Sequence, residues 1–113
     1  MDEQHENKLK NLIEILLDPY VGVCEKDDAA MDLAEYPDDR VVEALVKIGS
    51  KESEDDTVLN SCGESLGEIW IRRNHLPIAL FEQLTQVSKL GALLVVQNEK
   101  PEWIEKYTLN EIL

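Results

Sequence analysis

Residues 25–56 read EKDDAAMDLAEYPDDRVVEALVKIGSKESEDD, and this stretch predicts two helices separated by Pro37. Asp27 or Asp28 can cap the start of the first helix, and Pro37 stops that helix. Asp38 can cap the second helix in the same way. Apolar residues recur at the three- and four-residue spacing of a buried helix side. They are Ala30, Met31, Leu33 and Ala34 in the first helix, and Val41, Val42, Leu45, Val46 and Ile48 in the second.

Residues 57–84 repeat this helical plan after a charged linker. Gly49 suits the C-terminal cap of the helix before the linker. Ser53 and Asp56 resemble a capping box, and acids there also suit the positive end of a helix dipole. Asn74 can close the helix that follows. The predicted buried side of this fourth helix consists of Val58, Leu59, Cys62, Leu66, Ile69 and Trp70.

The flanks of the repeated region carry helical patterns as well. A first helix ends before Pro19, a fifth opens at Pro77, a sixth covers residues 90–96 and a seventh opens at Pro101. Since four-residue spacing dominates and glycine is scarce, we expect an all-α fold. The sequence predicts one domain, residues 1–113, built as a compact array of six or seven antiparallel helices. The core is predicted to centre on Leu33, Val42, Leu45, Leu66, Ile69, Leu80 and Phe81.

The charge of the chain is strongly negative and unevenly distributed. The net charge is −13, and residues 25–56 alone hold twelve acidic and four basic residues, a net of −8. Such self-repulsion adds nothing to folding, but it attracts and orients a cationic partner. It also disfavours nucleic acid or an anionic membrane as a partner.

From the sequence we expect neither a secretory signal nor a membrane span. Its N-terminal residues are charged, which excludes a secretory signal, and its longest apolar run, residues 92–96, is too short to cross a bilayer. Two cysteines do not form a disulfide framework. We therefore predict a soluble, cytoplasmic protein.

An internal repeat connects the sequence to a family. Residues 30–34 align with 63–67 at an offset of 33, and after a short insertion residues 42–45 align with 78–81. Within residues 55–69, an acid pair and a valine precede small residues and a Leu-Gly-x-Ile ending. This run resembles the second helix of a HEAT-like repeat. The resemblance covers residues 25–90, although the repeat is shorter than the roughly 40 residues of long HEAT units.

The HEAT-like resemblance implies a protein-binding array that uses the concave surface of its stack, and it implies no enzymatic activity. A small acidic helical array of this kind also resembles bacterial immunity proteins. These are encoded beside a toxin, often a basic nuclease, and neutralise it in the cytoplasm, as in contact-dependent growth inhibition. The resemblance therefore implies a cognate toxin domain as the basic partner.

Acidic residues are the candidates for binding that partner. Two interpretations stay open for the cluster in residues 27–39: helix caps on a solvated face, or a surface that imitates nucleic-acid phosphates. Glu64 and Glu68, four residues apart on one helix, are a solvated face unless their helix lines the concave surface. The predicted partner-binding residues are Asp27, Asp28, Asp32, Glu35, Asp38, Asp39, Glu64 and Glu68.

Other chemistry finds little support in the sequence, and we predict no enzyme, no metal and no cofactor. Acid–base catalysis by paired carboxylates would need a sheltered cleft, and the spacing of residues 27–39 does not match a calcium loop. Cys62 falls on an apolar stripe, which favours a buried, inert thiol over a nucleophile paired with His75. Trp70 is predicted to be core, whereas Trp103 and the nearby Tyr107 are either core or an exposed anchor.

Two functions from different classes remain after this reasoning. The first is an inhibitor that binds a basic toxin, such as a nuclease, and occludes its active site. The second is a HEAT-like adaptor or assembly scaffold for an intracellular complex. The sequence leaves the identity of the partner and the oligomeric state open.

Overall fold

Six α-helices and the helical residues 101–105 account for most of the structure, a computed structural model that describes residues 3–105. A 3₁₀ turn at Leu33–Glu35 extends the second helix, and no strand occurs in the described range. The prediction of an all-α fold is therefore confirmed. The helices are α1 (Glu3–Leu17), α2 (Val23–Asp32), α3 (Asp39–Gly49), α4 (Asp56–Arg72), α5 (Ile78–Gln83) and α6 (Gln86–Glu99).

The helices form two layers. In one layer α3 contacts α1 and α5, and in the other α4 contacts α2 and α6. Ser61 of α4 bonds to Asp27, and Ser65 one turn later bonds to Ala30, so α2 and α4 run in the same direction. The approach of Gly63 to Ser88 and of Gly67 to Ala92 shows that α6 runs in this direction too.

The register between α2 and α4 is close to that of the internal repeat of the sequence. The two hydrogen-bonded pairs across this seam, Asp27–Ser61 and Ala30–Ser65, are separated by 34 and 35 residues. The sequence alignment gives an offset of 33 for residues 30–34, which lie at this seam, and of 36 after its insertion. Repeated helices thus lie beside each other within one or two residues of the aligned register, while the HEAT-like class of the array stays a prediction.

Small residues allow α4 and α6 to approach closely. A Cβ on Gly63 would lie 2.0 Å from the carbonyl oxygen of Ser88, and one on Gly67 would lie 3.0 Å from that of Ala92. On the other side of the contact, a Cβ on Gly91 would lie 2.7 Å from the carbonyl oxygen of Asn60. Gly63, Gly67 and Gly91 thus all lie where the two helices are closest.

The core lies between the two layers and is almost entirely aliphatic. Trp70 and Phe81 are its largest members, and both are about 1% exposed. Of the predicted core residues only Leu80 is merely half-buried, since it sits in the short helix α5 at one end of the array. The other predicted members are buried: Leu33, Val42, Leu45, Leu66, Ile69 and Phe81.

Several predicted helix ends are confirmed. Asp38 caps α3 by accepting a hydrogen bond from the backbone N–H of Arg40. Asn74 adopts a φ of 55° just beyond α4. The N–H groups of Asn74 and His75 donate to the carbonyls of Ile71 and Trp70, which completes a Schellman motif.

Other predicted ends are wrong. Asp27 and Asp28 do not cap α2, because that helix begins four residues earlier, at Val23, with Gly22 as its N-cap. Asp55, and not Ser53, caps α4, because its carboxylate accepts a hydrogen bond from the backbone N–H of Thr57.

Gly49 has a structural role different from the predicted one. It is the last residue of α3 and has no positive φ. Its carbonyl accepts a hydrogen bond from the N–H of Thr85, and a Cβ would meet Leu84 at 3.2 Å. The lack of a side chain at Gly49 lets Leu84 and Thr85 pack closely against it.

The last helices also differ from the prediction. The sixth helix was predicted over residues 90–96, but α6 already begins at Gln86, because Thr85 caps it, and it ends at Glu99. The helical residues 101–105 begin at Pro101 as predicted, and Trp103 is half-buried. Tyr107 and Ile112 of the predicted seventh helix lie outside the described residues.

Candidate acidic interface

A polar seam fixes α2 against α4 beneath the candidate interface. The hydroxyl of Ser61 donates to the carboxylate of Asp27, and the hydroxyl of Ser65 donates to the carbonyl of Ala30 over 2.7 Å. Asp27 is consequently half-buried and directed toward α4. One of the predicted binding carboxylates thus also helps to hold the two helices in register.

Lys26 and Glu54 form an ion pair between α2 and the segment before α4. The Lys26 Nζ lies 3.0 Å from Glu54 Oε2, and the two side chains are only 11% and 13% exposed. Lys26 is the one basic residue within residues 25–39. Because this cation is directed inward, it does not compensate the carboxylates on the outer side of α2.

Glu64 and Glu68 occupy the exposed strip of α4 between its two neighbours. The side of α4 that meets α2 carries Ser61 and Ser65, and the side that meets α6 carries Gly63 and Gly67. Positions 64 and 68 lie between these sides of the helix and are exposed. Asn60 Nδ2 donates to Glu64 Oε1 over 2.7 Å, which orients that carboxylate along the helix.

Six of the eight predicted binding residues therefore share the layer formed by α2 and α4, and we call them the acidic face. Within residues 3–105 none of the six takes part in an ion pair. Met31, which is 50% exposed, adds an apolar side chain to the outer side of α2. The acidic face consists of Asp27, Asp28, Asp32, Glu35, Glu64 and Glu68.

Asp38 and Asp39 differ from the other six because each pairs with an arginine. Asp38 caps α3 and holds Arg40, which also binds Glu6 of α1. Hydrogen bonding to Arg40 lowers the pKa of Asp38 to about 2, and it lowers the pKa of Glu6 as well. Asp39 pairs with Arg73 over 3.0 Å. A cationic partner would have to compete with these arginines, so both residues are poorer contacts than the acidic face.

Cys62 is buried, as predicted from its place on an apolar stripe. Cys62 is fully buried in α4, and burial raises the pKa of its thiol to about 12. A thiol with this pKa forms almost no thiolate near neutral pH. His75, its hypothetical base, lies exposed beyond the end of α4.

Neither a metal site nor a membrane segment emerges from the described part of the chain. Residues 3–105 contain no group of three His, Cys, Asp or Glu side chains placed to hold a metal ion. No helix in that range is long and apolar enough to cross a membrane.

A groove on the opposite layer was not identified from the sequence. It lies between α1 and α3 and has a volume of about 450 Å³. Both helices contribute residues at the i, i+3, i+4 and i+7 positions, a signal that becomes meaningful only once α1 and α3 are known to be neighbours. The lining residues are Lys10, Ile13, Glu14 and Leu17 of α1, and Arg40, Glu43, Ala44 and Lys47 of α3.

Comparison of the chain with protein-family models, with curated proteins and with solved structures found no match in any of the three.

Proposed function

We propose that this protein is an acidic inhibitor that binds a basic partner protein through the acidic face. The observation that carries the proposal is a set of six carboxylates on one helical layer without an ion pair among residues 3–105, in a chain of net charge −13. Lys26 of α2 does not neutralise these carboxylates, because it is paired with Glu54. Carboxylates left without counter-charges are available for lysines and arginines of a partner.

The packing beneath the acidic face supports binding without rearrangement. The seam of Ser61 and Ser65 fixes α2 on α4, and Gly63 and Gly67 fix α4 on α6. A surface that is already ordered loses less entropy when it binds than a flexible one does. The inhibitor is therefore proposed to bind as a preformed body.

The proposed mechanism is steric and electrostatic occlusion. A nuclease active site needs cations to hold phosphate, and carboxylates placed at its entrance satisfy those cations and exclude nucleic acid. This fits a HEAT-like bacterial immunity protein that neutralises a cognate toxin in the cytoplasm. The family, the toxin and the compartment are parts of the proposal.

Competition between inhibitor and nucleic acid tests the proposal. The chain would be used to capture a partner from its native host, and the partner's nuclease activity and nucleic-acid affinity would be measured with and without the chain. We expect a basic partner with nuclease activity that the chain abolishes, and mutually exclusive binding of the two ligands. A complex that binds nucleic acid as tightly as the free partner does would contradict occlusion.

The groove between α1 and α3 favours a second candidate function, an adaptor or assembly scaffold. An adaptor needs two separate surfaces, and this groove lies on the layer opposite the acidic face. Exchange of Glu14 and Glu43 for Lys would change the groove, whereas exchange of Glu64 and Glu68 would change the acidic face. Loss of partner binding only after exchange of the groove residues would support the adaptor over the inhibitor.

A further inference from the structure

The side of α6 that faces away from α4 carries exposed leucines. Helix α6 packs on α4 through buried residues that include Ser88, Gly91 and Ala92. Leu90 and Leu94, which are neighbours at four-residue spacing, are 51% and 62% exposed. Uncharged residues, two of them glutamines, flank the leucines on the same side, and we call this surface the α6 edge. It consists of Gln86, Val87, Leu90, Leu94 and Gln97.

The α6 edge has no acidic residue, although the chain as a whole is strongly negative. Residues 86–98 contain one charged residue, Lys89. Its Nζ lies 5.9 Å from the centre of the Phe81 ring and 3.7 Å from Glu82, so it is held against α5. A helix that is apolar on both sides is typically covered on both sides.

We propose that the α6 edge is the contact between two copies of this chain. The charge distribution favours a second copy of the chain as the partner of this surface. Two chains of net charge −13 repel each other wherever carboxylates meet, so a contact between the same surface of two copies is favoured where acids are absent. A cationic partner gains nothing from that surface and is attracted to the acidic face instead.

The geometry fits a symmetric pair with a small interface. When the two-fold axis is perpendicular to α6, the two α6 helices run antiparallel and Leu90 of one copy meets Leu94 of the other. A helix of 14 residues is about 21 Å long. Two such helices bury less than the roughly 1,200 Å² of a standard interface. The expected dimer is therefore weak and forms at micromolar concentration. The acidic face of each copy stays accessible, so the dimer is independent of the proposed inhibition.

Sedimentation velocity of the full chain tests the dimer, with the concentration varied from about 1 to about 200 µM. We expect a shift from monomer to dimer over this range, and a shift to lower concentration when salt is added, because salt screens the repulsion between the copies. Leu94→Asp should weaken the dimer at least about tenfold. Met31→Asp is the matched control, since Met31 is 50% exposed on α2 and should leave the dimer unchanged.

Two outcomes would overturn the dimer. The first is a monomer at every concentration, which would leave the α6 edge to another segment of the chain or to a different partner. The second is equal weakening by Leu94→Asp and Met31→Asp, which would place the contact elsewhere. Since partner binding at the acidic face should weaken with salt and the dimer should strengthen, failure of either proposal can be recognised separately.

Discussion

Gly63 determines how closely α4 and α6 can pack. Its backbone touches that of α6 so closely that a Cβ would lie 2.0 Å from the carbonyl oxygen of Ser88 and 2.8 Å from its carbonyl carbon. Backbone atoms within a helix cannot move aside as the end of a flexible side chain can. A side chain at this position would therefore separate the two helices along their whole contact.

We predict that Gly63→Ala destabilises the protein. Alanine gains about 1 kcal/mol of helix propensity over glycine, but the clash with Ser88 outweighs it, and the net loss should reach about 1–3 kcal/mol, typical of an overpacked site. Urea unfolding followed by circular dichroism measures the change. Gly22→Ala is the control, because a Cβ there meets nothing within 4 Å. It should cost less than about 1 kcal/mol, as expected for an exposed N-cap. Equal stability of Gly63→Ala and the wild type would contradict the packing described for α4 and α6.

At the scale of the helices, the sequence predicted the positions of the helices, which follow from local spacing. It missed several helix caps, which depend on how each helix packs against the others. The apolar stripes identified the helices because their period is a property of each helix alone. The caps failed where several acids compete: Asp27 and Asp28 have the right side chains, but α2 starts at Val23, and Asp55 takes the place predicted for Ser53. These choices depend on where the helix packs, which no local pattern records.

The candidate interface also has features that could be predicted from the sequence and features that could not. Exposure of Glu64 and Glu68 follows from their places on an amphipathic helix, so the sequence identified them. The pairing of Asp39 with Arg73 spans 34 residues and arises only after α3 and α4 are packed. The groove between α1 and α3 was missed for this reason too, since its two sides belong to helices more than 20 residues apart.

The ion pair of Lys26 and Glu54 connects α2 to α4 and gives a prediction for these elements. Lys26→Met should leave Glu54 as a largely buried charge without its partner, and the loss should approach the roughly 3 kcal/mol seen when such pairs are broken. The double variant Lys26→Met/Glu54→Leu removes both charges and should recover most of the lost stability, because hydrophobic replacement of a buried pair is often neutral. Thermal unfolding of the single and double variants provides the measurement.

The comparison needs an exposed pair as its reference. Lys10 lies 3.8 Å from Glu6, and its side chain is 62% exposed. Lys10→Met should change stability by less than about 1 kcal/mol, the usual value for surface pairs. If Lys26→Met were no more destabilising than Lys10→Met, the pair would not join α2 to α4, and Lys26 would be free to compensate the acidic face.

At the scale of the whole molecule, the arrangement of charge matters more than its sum. The layer of α2 and α4 presents the acidic face, whereas the groove on the opposite layer mixes three basic residues with two acidic ones. The net charge of −13 by itself would steer any cation to the protein. Only an uneven distribution steers a basic partner to one face.

The last prediction separates the local charge from the net charge. Exchange of both Glu64 and Glu68 for Lys changes the net charge by four, from −13 to −9, and so does exchange of both Glu14 and Glu43. If the acidic face guides the partner, the first pair should lower the association rate about tenfold or more at low salt, because close charges govern the encounter. The second pair should lower it much less. Stopped-flow measurements with the captured partner at increasing salt would show the two variants converging as screening removes the difference. If both double variants slowed association equally at low salt, net charge alone would attract the partner. The proposal that the acidic face is the binding surface would then be wrong.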